Sequence, residues 1–102
     1  MYIAMNRFQV APGSEETFED VWRGRANRLG EMKGYVSFNL LRGPSDETHT
    51  LYASHTIWES EEDFVAWTKS EQFREAHKNA GAHKTVYLGP PKFEGFTSID
   101  GI

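Results

Sequence analysis

The sequence predicts a single α+β domain spanning residues 1–102, in which four strands form one sheet and the helical segments pack on one of its faces. Three observations carry this. Strand-like and helix-like runs alternate in the order β-α-β-β-α-β. Each helix-like run opens on a serine followed by acids. With 102 residues, 38% apolar and 14% aromatic, the chain can bury one core and is too short for a second.

Tyr2 to Val10 is rich in strand formers and stops at Ala11-Pro12-Gly13, where Pro and Gly mark a turn. Ser14 then precedes Glu15 and Glu16, and Phe18, Val21, Trp22 and Leu29 recur at helical spacing, so a first helix is expected to run as far as Gly30. Gly24 is a weakness inside that helix. Tyr35 to Leu41 alternates, placing Val36, Phe38 and Leu40 on one face, and Arg42-Gly43-Pro44-Ser45-Asp46 interrupts it. His49 to Trp58 follows across a short polar loop, as the second strand of a hairpin. Ser60 caps a helix carrying Phe64 and Trp67, and Ser70 before Glu71 predicts a second short helix in series, reaching Ala80. Thr85 to Leu88 and Phe93 to Ile99 are the last strand-like pieces. This order is that of a ferredoxin-like protomer. Its sheet keeps one bare face, which a second copy of the chain would cover.

Composition excludes several functions. A net charge of −4 argues against a surface built on nucleic acid phosphates. The absence of cysteine rules out disulfides, thiolate metal sites, Fe–S clusters and a thiol nucleophile. The N-terminus meets a polar residue too early for a signal-peptide core, and no apolar run approaches the ~20 residues that cross a bilayer, so a cytoplasmic protein without membrane contact is expected. There is no Gly-rich phosphate loop, dinucleotide fingerprint, nucleophile elbow or HExxH.

Among the four histidines, His49 and His55 share a strand face but stand roughly 20 Å apart at about 3.3 Å per residue, so they cannot share a metal within that strand. His77 differs. Phe73, Ala76, His77 and Ala80 follow the i, i+3, i+4, i+7 pattern, placing the imidazole on an apolar helix face, where it is either a structural residue or a ligand. Trp67, ten residues earlier, would lie about 80° from His77 on an unbroken helix, so one pocket can be lined by both. Asn6 interrupts the first strand between Ala4 and Phe8, as a bulge or turn anchor or as an amide donor aimed into a cavity.

Asn6-Arg7-Phe8, Thr56-Ile57-Trp58-Glu59-Ser60, and the segment from Phe64-Val65-Ala66-Trp67-Thr68-Lys69-Ser70 to Phe73-Arg74-Glu75-Ala76-His77-Lys78 together resemble the IsdG-type haem-degrading monooxygenases, within the antibiotic biosynthesis monooxygenase superfamily. Leu40-Leu41-Arg42-Gly43-Pro44 looks like the form found in bacterial haem-utilisation members. The resemblance extends from Tyr2 to about Phe96, and its specificity lies in Asn6, Trp67 and His77.

The resemblance implies a homodimeric α+β barrel with one haem per protomer, haem being both substrate and cofactor. It implies that His77 is the axial ligand to the haem iron, that Asn6 donates a hydrogen bond on the opposite face toward bound dioxygen, and that Trp67 presses on the porphyrin and buckles it. The reaction implied is oxidative ring opening that releases iron and a linear tetrapyrrole, expected to be of the biliverdin type. Electrons would arrive from an external reductase, because the chain carries no flavin or nicotinamide fingerprint. Arg23 and Arg25 are either partners for the haem propionates or solvated helix charges. Three rival readings stand beside this one: a cofactor-free monooxygenase of quinols or aromatic polyketides, a non-catalytic haem-binding module, and a structural dimer without ligand.

Overall fold

β1 (Tyr2–Val10) and β3 (Thr50–Trp58) form the centre of a four-stranded sheet, with β2 (Tyr35–Ser45) beside β3 and β4 (Lys92–Thr97) beside β1. Every neighbouring pair is antiparallel, and with α1 (Glu15–Gly24), α2 (Glu61–Thr68) and α3 (Glu71–His77) the order gives the ferredoxin-like α+β fold. The computed structural model describes residues 1–24, 28–77 and 86–102, with Ala76 and His77 described by backbone alone.

Period-two alternation sorts the sheet into two faces. On the side of the helices, Tyr2, Ala4, Phe8 and Val10 lie opposite Trp58, Thr56, Tyr52 and Thr50, and all eight are buried. On the other side Ile3, Met5, Ala53 and Ile57 are half-buried, while Leu41 and Phe96 are exposed.

The edge strand β2 departs from the simple alternation. Tyr35 faces Trp58 and Ser37 faces Ile57, so Val36 is an extra residue, a bulge that leaves it 42% exposed while Phe38 and Leu40 keep to the helix side. β2 also continues to Ser45 rather than ending at Leu41. A second register shift between Arg42 and Ser45 accommodates Gly43-Pro44, which an edge strand tolerates because it has an unpaired side. The hairpin turn is built by Asp46, whose Oδ1 accepts from the backbone N–H of Thr48 at 2.7 Å and of His49 at 3.1 Å.

The helices differ from expectation chiefly in length. α1 is described over Glu15–Gly24, and the residues that follow Gly24, on which its place inside the helix depends, lie outside the described residues. Leu29–Glu31 forms a separate 3₁₀ turn. Ser60 Oγ accepts from the Asp63 N–H at 3.2 Å, and Ser70 Oγ accepts from the Phe73 N–H at 3.1 Å, so two caps produce α2 and α3 in series. Tyr87 makes a single bridge to Val10, and the final strand is Lys92–Thr97. Gly34 has φ +84°, a left-handed conformation suited to glycine, and the Asp63 side chain closes over it.

The core is divided. Under α1, Phe18 packs with Phe8, Val10, Tyr52 and Val86; under α2, Trp58 packs with Tyr2, Ala4 and Leu29, with Phe64 and Trp67 against them. Among the described residues, no helix is long and apolar enough to cross a membrane.

Candidate functional site

Asn6 lies at the join of these two clusters. It shares the helix-facing side of β1 with buried Ala4 and Phe8, opposite Ser54 on β3 and Phe93 on β4. Asn6 itself stays half-buried, although it is central on a central strand, so the sheet is accessible there between α1 and α2. No bulge accompanies it: β1 pairs residue for residue with β3 from Tyr2 to Val10. Among the described residues its carboxamide makes no hydrogen bond, and the row beside it is polar, with Ser54 and Thr56 buried at 5% and 6% exposure. A buried or half-buried amide normally finds a partner. The indole N–H of Trp58, 0% exposed, also has no hydrogen-bond partner among the described residues.

Trp67 is half-buried on α2. Its ring lies 5.7 Å from Trp58 and 6.2 Å from Phe64, and it meets Phe73 of α3 edge-to-face at 4.8 Å. The cap at Ser70 breaks the helix between Trp67 and His77, so the angular relation of an unbroken helix does not apply; Phe73 instead ties α3 to the Trp67 ring. His77 is the last residue of α3, and its imidazole lies outside the described side chains. The placement of Asn6 and Trp67 therefore rests on a regular strand and a capped helix packed over the same face of the sheet.

Of the two arginines considered for anionic groups, Arg25 lies outside the described residues. Arg23 is already committed: its guanidinium donates to Asp20 at 2.7 Å and to Glu19 at 3.1 Å. Those contacts fit a helix-surface charge. Glu19 is the centre of a cluster that sequence reading missed. Tyr52 Oη donates to Glu19 Oε2 at 2.5 Å, and Arg42 stands 3.6 Å from the same oxygen. The hydrogen bond from Tyr52 lowers the Glu19 pKa, while burial and the Glu19 carboxylate push the Tyr52 phenol up to about 12. These residues line a cleft of about 450 Å³ between α1 and β2, with Trp22 stacked on Phe38 at 5.8 Å. Alternation assigns Tyr52 and Arg42 to a face, but the pairing across 33 residues from Glu19 leaves no local pattern.

His49 and His55 take no part in this face; both belong to the opposite side of the sheet. Among the described residues no group of three His, Asp or Glu side chains can hold a metal ion.

Comparison with known proteins identifies the family. The family model described as antibiotic biosynthesis monooxygenase matches residues 1–79, a span containing Asn6, Trp67 and His77. Over 79 residues the chain is 30% identical to a heme oxygenase (staphylobilin-producing) of Staphylococcus haemolyticus, covering 78% of this chain and 75% of the relative. The heme-degrader MhuD of Mycobacterium tuberculosis, solved with two hemes in its active site, superposes with a TM-score of 0.73 at 25% identity, covering 100% of this chain and 99% of its own. SnoaB of Streptomyces nogalater, a cofactor-independent oxygenase, shares the fold, with a TM-score of 0.70 at 22% identity over 96% of this chain and 92% of its own. The family expected from Asn6, Trp67 and His77 is thus the family found: the chain belongs to the antibiotic biosynthesis monooxygenase family and is a monooxygenase.

Proposed function

We propose that this protein is a haem-degrading monooxygenase whose substrate enters between the helix-facing side of the sheet and α2–α3. The observation that carries the reading is Asn6: a half-accessible amide, without a hydrogen bond among the described residues, on the helix-facing side of the sheet between two aromatic clusters. A flat, apolar macrocycle fits such a surface, because aromatic walls desolvate its faces while one polar group addresses its centre. The MhuD structure, with hemes bound in its active site, and the 30% identity to a heme oxygenase support the same substrate class.

Haem supplies the iron at which dioxygen is activated and is itself the ring that is opened. The chain's own residues do the rest. His77, in α3, would hold the iron through a neutral ring nitrogen. Asn6 would offer its amide N–H to the haem-bound substrate, and its position on a central strand would hold that donor in place. Trp67, braced by Trp58, Phe64 and Phe73, would press a rigid indole on the porphyrin and set its shape. The two aromatic clusters exclude water. Electrons come from an external reductase, and the product is a linear tetrapyrrole with iron released.

The same reading takes the protein as a homodimer. Ile3, Met5 and Ile57 with exposed Phe96 and Leu41 make an apolar sheet face that a second copy would cover, completing an α+β barrel.

The test is a haemin titration of the parent and of His77→Ala. The parent is expected to take up about one haem per protomer with the spectrum of an imidazole-ligated iron. Equal affinity and an unchanged spectrum in the variant would remove His77 from the site.

A further inference from the structure

α1 is fastened to β3 by side chains that keep step. Thr50 donates to Glu15 at 2.8 Å, and Tyr52 donates to Glu19 at 2.5 Å. Four residues of helix rise about 6 Å and two residues of strand about 6.6 Å, so each acid of α1 meets the next inward hydroxyl of β3. One step further, Ser54 would meet position 23. Arg23 does not serve it: the guanidinium is turned to Asp20 and Glu19, and the side chain is 64% exposed. The fastening lapses at Ser54.

Ser54 is 5% exposed, and its hydroxyl makes no hydrogen bond among the described residues. A buried hydroxyl left without a partner is costly. The backbone of β3 is engaged by ladders on both sides, which leaves the gap in front of the sheet as the place for that partner. Across the register Leu40 of β2 lies on one side of Ser54 and Asn6 of β1 on the other. Directly opposed residues on antiparallel strands hold their Cβ atoms about 4.5–5.5 Å apart, so one oxygen atom can lie about 2.8 Å from both the hydroxyl and the carboxamide. Both side chains stand between the aromatic cluster under α1 and the one under α2, where half-buried Asn6 marks the sheet as accessible.

We propose that Ser54 is a second hydrogen-bonding residue of the site, which together with Asn6 holds one oxygen atom in front of the sheet and thereby selects where the porphyrin ring is opened. The inference rests on the haem-degrading reading and adds its positional specificity. One amide donor leaves the held oxygen free to swing about it. A second donor on β3 fixes the oxygen at one point, drawn toward β2 and away from β4. Asn6 then serves the rate, and Ser54 serves the choice of ring carbon. In the haem-free protein the same two groups share a water molecule.

The test uses the full chain loaded with haem, as parent, Ser54→Ala, Ser54→Thr and Ser54→Val. Thr and Val share a shape and differ in the hydroxyl, so that pair separates the hydrogen bond from any change in packing. Carbon monoxide on the reduced haem reports nearby donors without turnover, through its infrared stretch. The stretch is expected to rise in Ser54→Ala and Ser54→Val and to stay near the parent value in Ser54→Thr. Haem affinity should stay within about threefold, while the ratio of ring-opened isomers, separated by chromatography, changes about fivefold, the weight of one net hydrogen bond. An unchanged stretch and isomer ratio in Ser54→Ala, with haem still bound and degraded by the parent, overturns the role of Ser54 and leaves the haem reading standing. A parent that binds no haem overturns both. Lower stability in Ser54→Ala with the stretch unchanged would make the hydroxyl the holder of a structural water only, and also overturns the proposal.

Discussion

Replacing Phe18 by alanine tests whether α1 is held to the sheet as the structure describes. Phe18 is 0% exposed, and its ring centroid lies 4.5 Å from Tyr52, 5.5 Å from Phe8, 5.7 Å from Tyr87 and 6.1 Å from Trp22. Burial of phenylalanine truncated to alanine typically costs about 3–5 kcal/mol, the larger values where the surroundings cannot collapse. The four neighbouring rings belong to two strands, the helix itself and the segment bridged to Val10, so they cannot close in together, and about 4 kcal/mol is expected. A domain of this size has about 5–15 kcal/mol in total, so the variant should lose a large part of its stability and melt about 15–30 °C lower. Urea unfolding followed by tryptophan fluorescence and far-ultraviolet circular dichroism measures the change, with the midpoint falling and the slope unchanged. A loss below about 1 kcal/mol would mean that the Phe18 cavity is not closed, and the packing of α1 would need to be redrawn.

Ser60→Ala should cost about 1 kcal/mol by removing the acceptor for the Asp63 N–H, read as a lower urea midpoint, while Ser60→Asp should recover most of it. Hydrogen bonds from the Thr48 hydroxyl and from the backbone N–H groups of Thr48 and His49 lower the Asp46 carboxyl to about 2. Its folded pKa is depressed, so its stabilisation is present above about pH 4 and disappears as the pH falls toward 2; Asp46→Asn should flatten that part of the acid limb in a pH-dependent melt. Gly95→Ala would place a methyl 2.8 Å from Tyr2 Cζ and push the ring off Phe64, costing about 1–3 kcal/mol in thermal denaturation. Asn6→Ala and Trp67→Phe should keep haem affinity within about threefold and lose turnover, since both groups act as charge and ring shape change during reaction. Parental turnover in both variants would contradict these roles.

Much of the architecture was legible in local pattern. The alternation of β1 and β3 names the buried side, and the serines at 60 and 70 mark the two caps, because strand period and capping are short-range effects. β2 was not legible to the same degree. The Val36 bulge and the run through Gly43-Pro44 depend on pairing with β3, and an edge strand tolerates residues that local rules assign to a loop. The length of α1 was overstated because Leu29 keeps the helical period but belongs to a 3₁₀ turn.

At the site, Asn6 was visible as a polar residue at an inward position of a strand, and the structure removes the bulge explanation by pairing β1 without interruption. Trp67 was visible only as an aromatic at helical spacing; its bracing by Phe73 across the Ser70 cap is a tertiary contact. The commitment of Arg23 to Asp20 and Glu19 likewise separates a surface charge from a ligand contact in a way that spacing alone does not. The Glu19–Tyr52 hydrogen bond joins residues distant in sequence and left no trace in either segment.

The central claim is that the protein opens the haem ring by an enzymatic route. The most direct measurement follows the Soret band of the reduced haem complex in air, with catalase and a ferrous-iron chelator present, and identifies the product by mass spectrometry. The account predicts that the band decays, that iron reaches the chelator, and that a linear tetrapyrrole accumulates, its mass separating a staphylobilin from a biliverdin-type product. Decay of the band only when catalase is omitted would contradict it, since free peroxide would then be destroying haem that the protein merely binds.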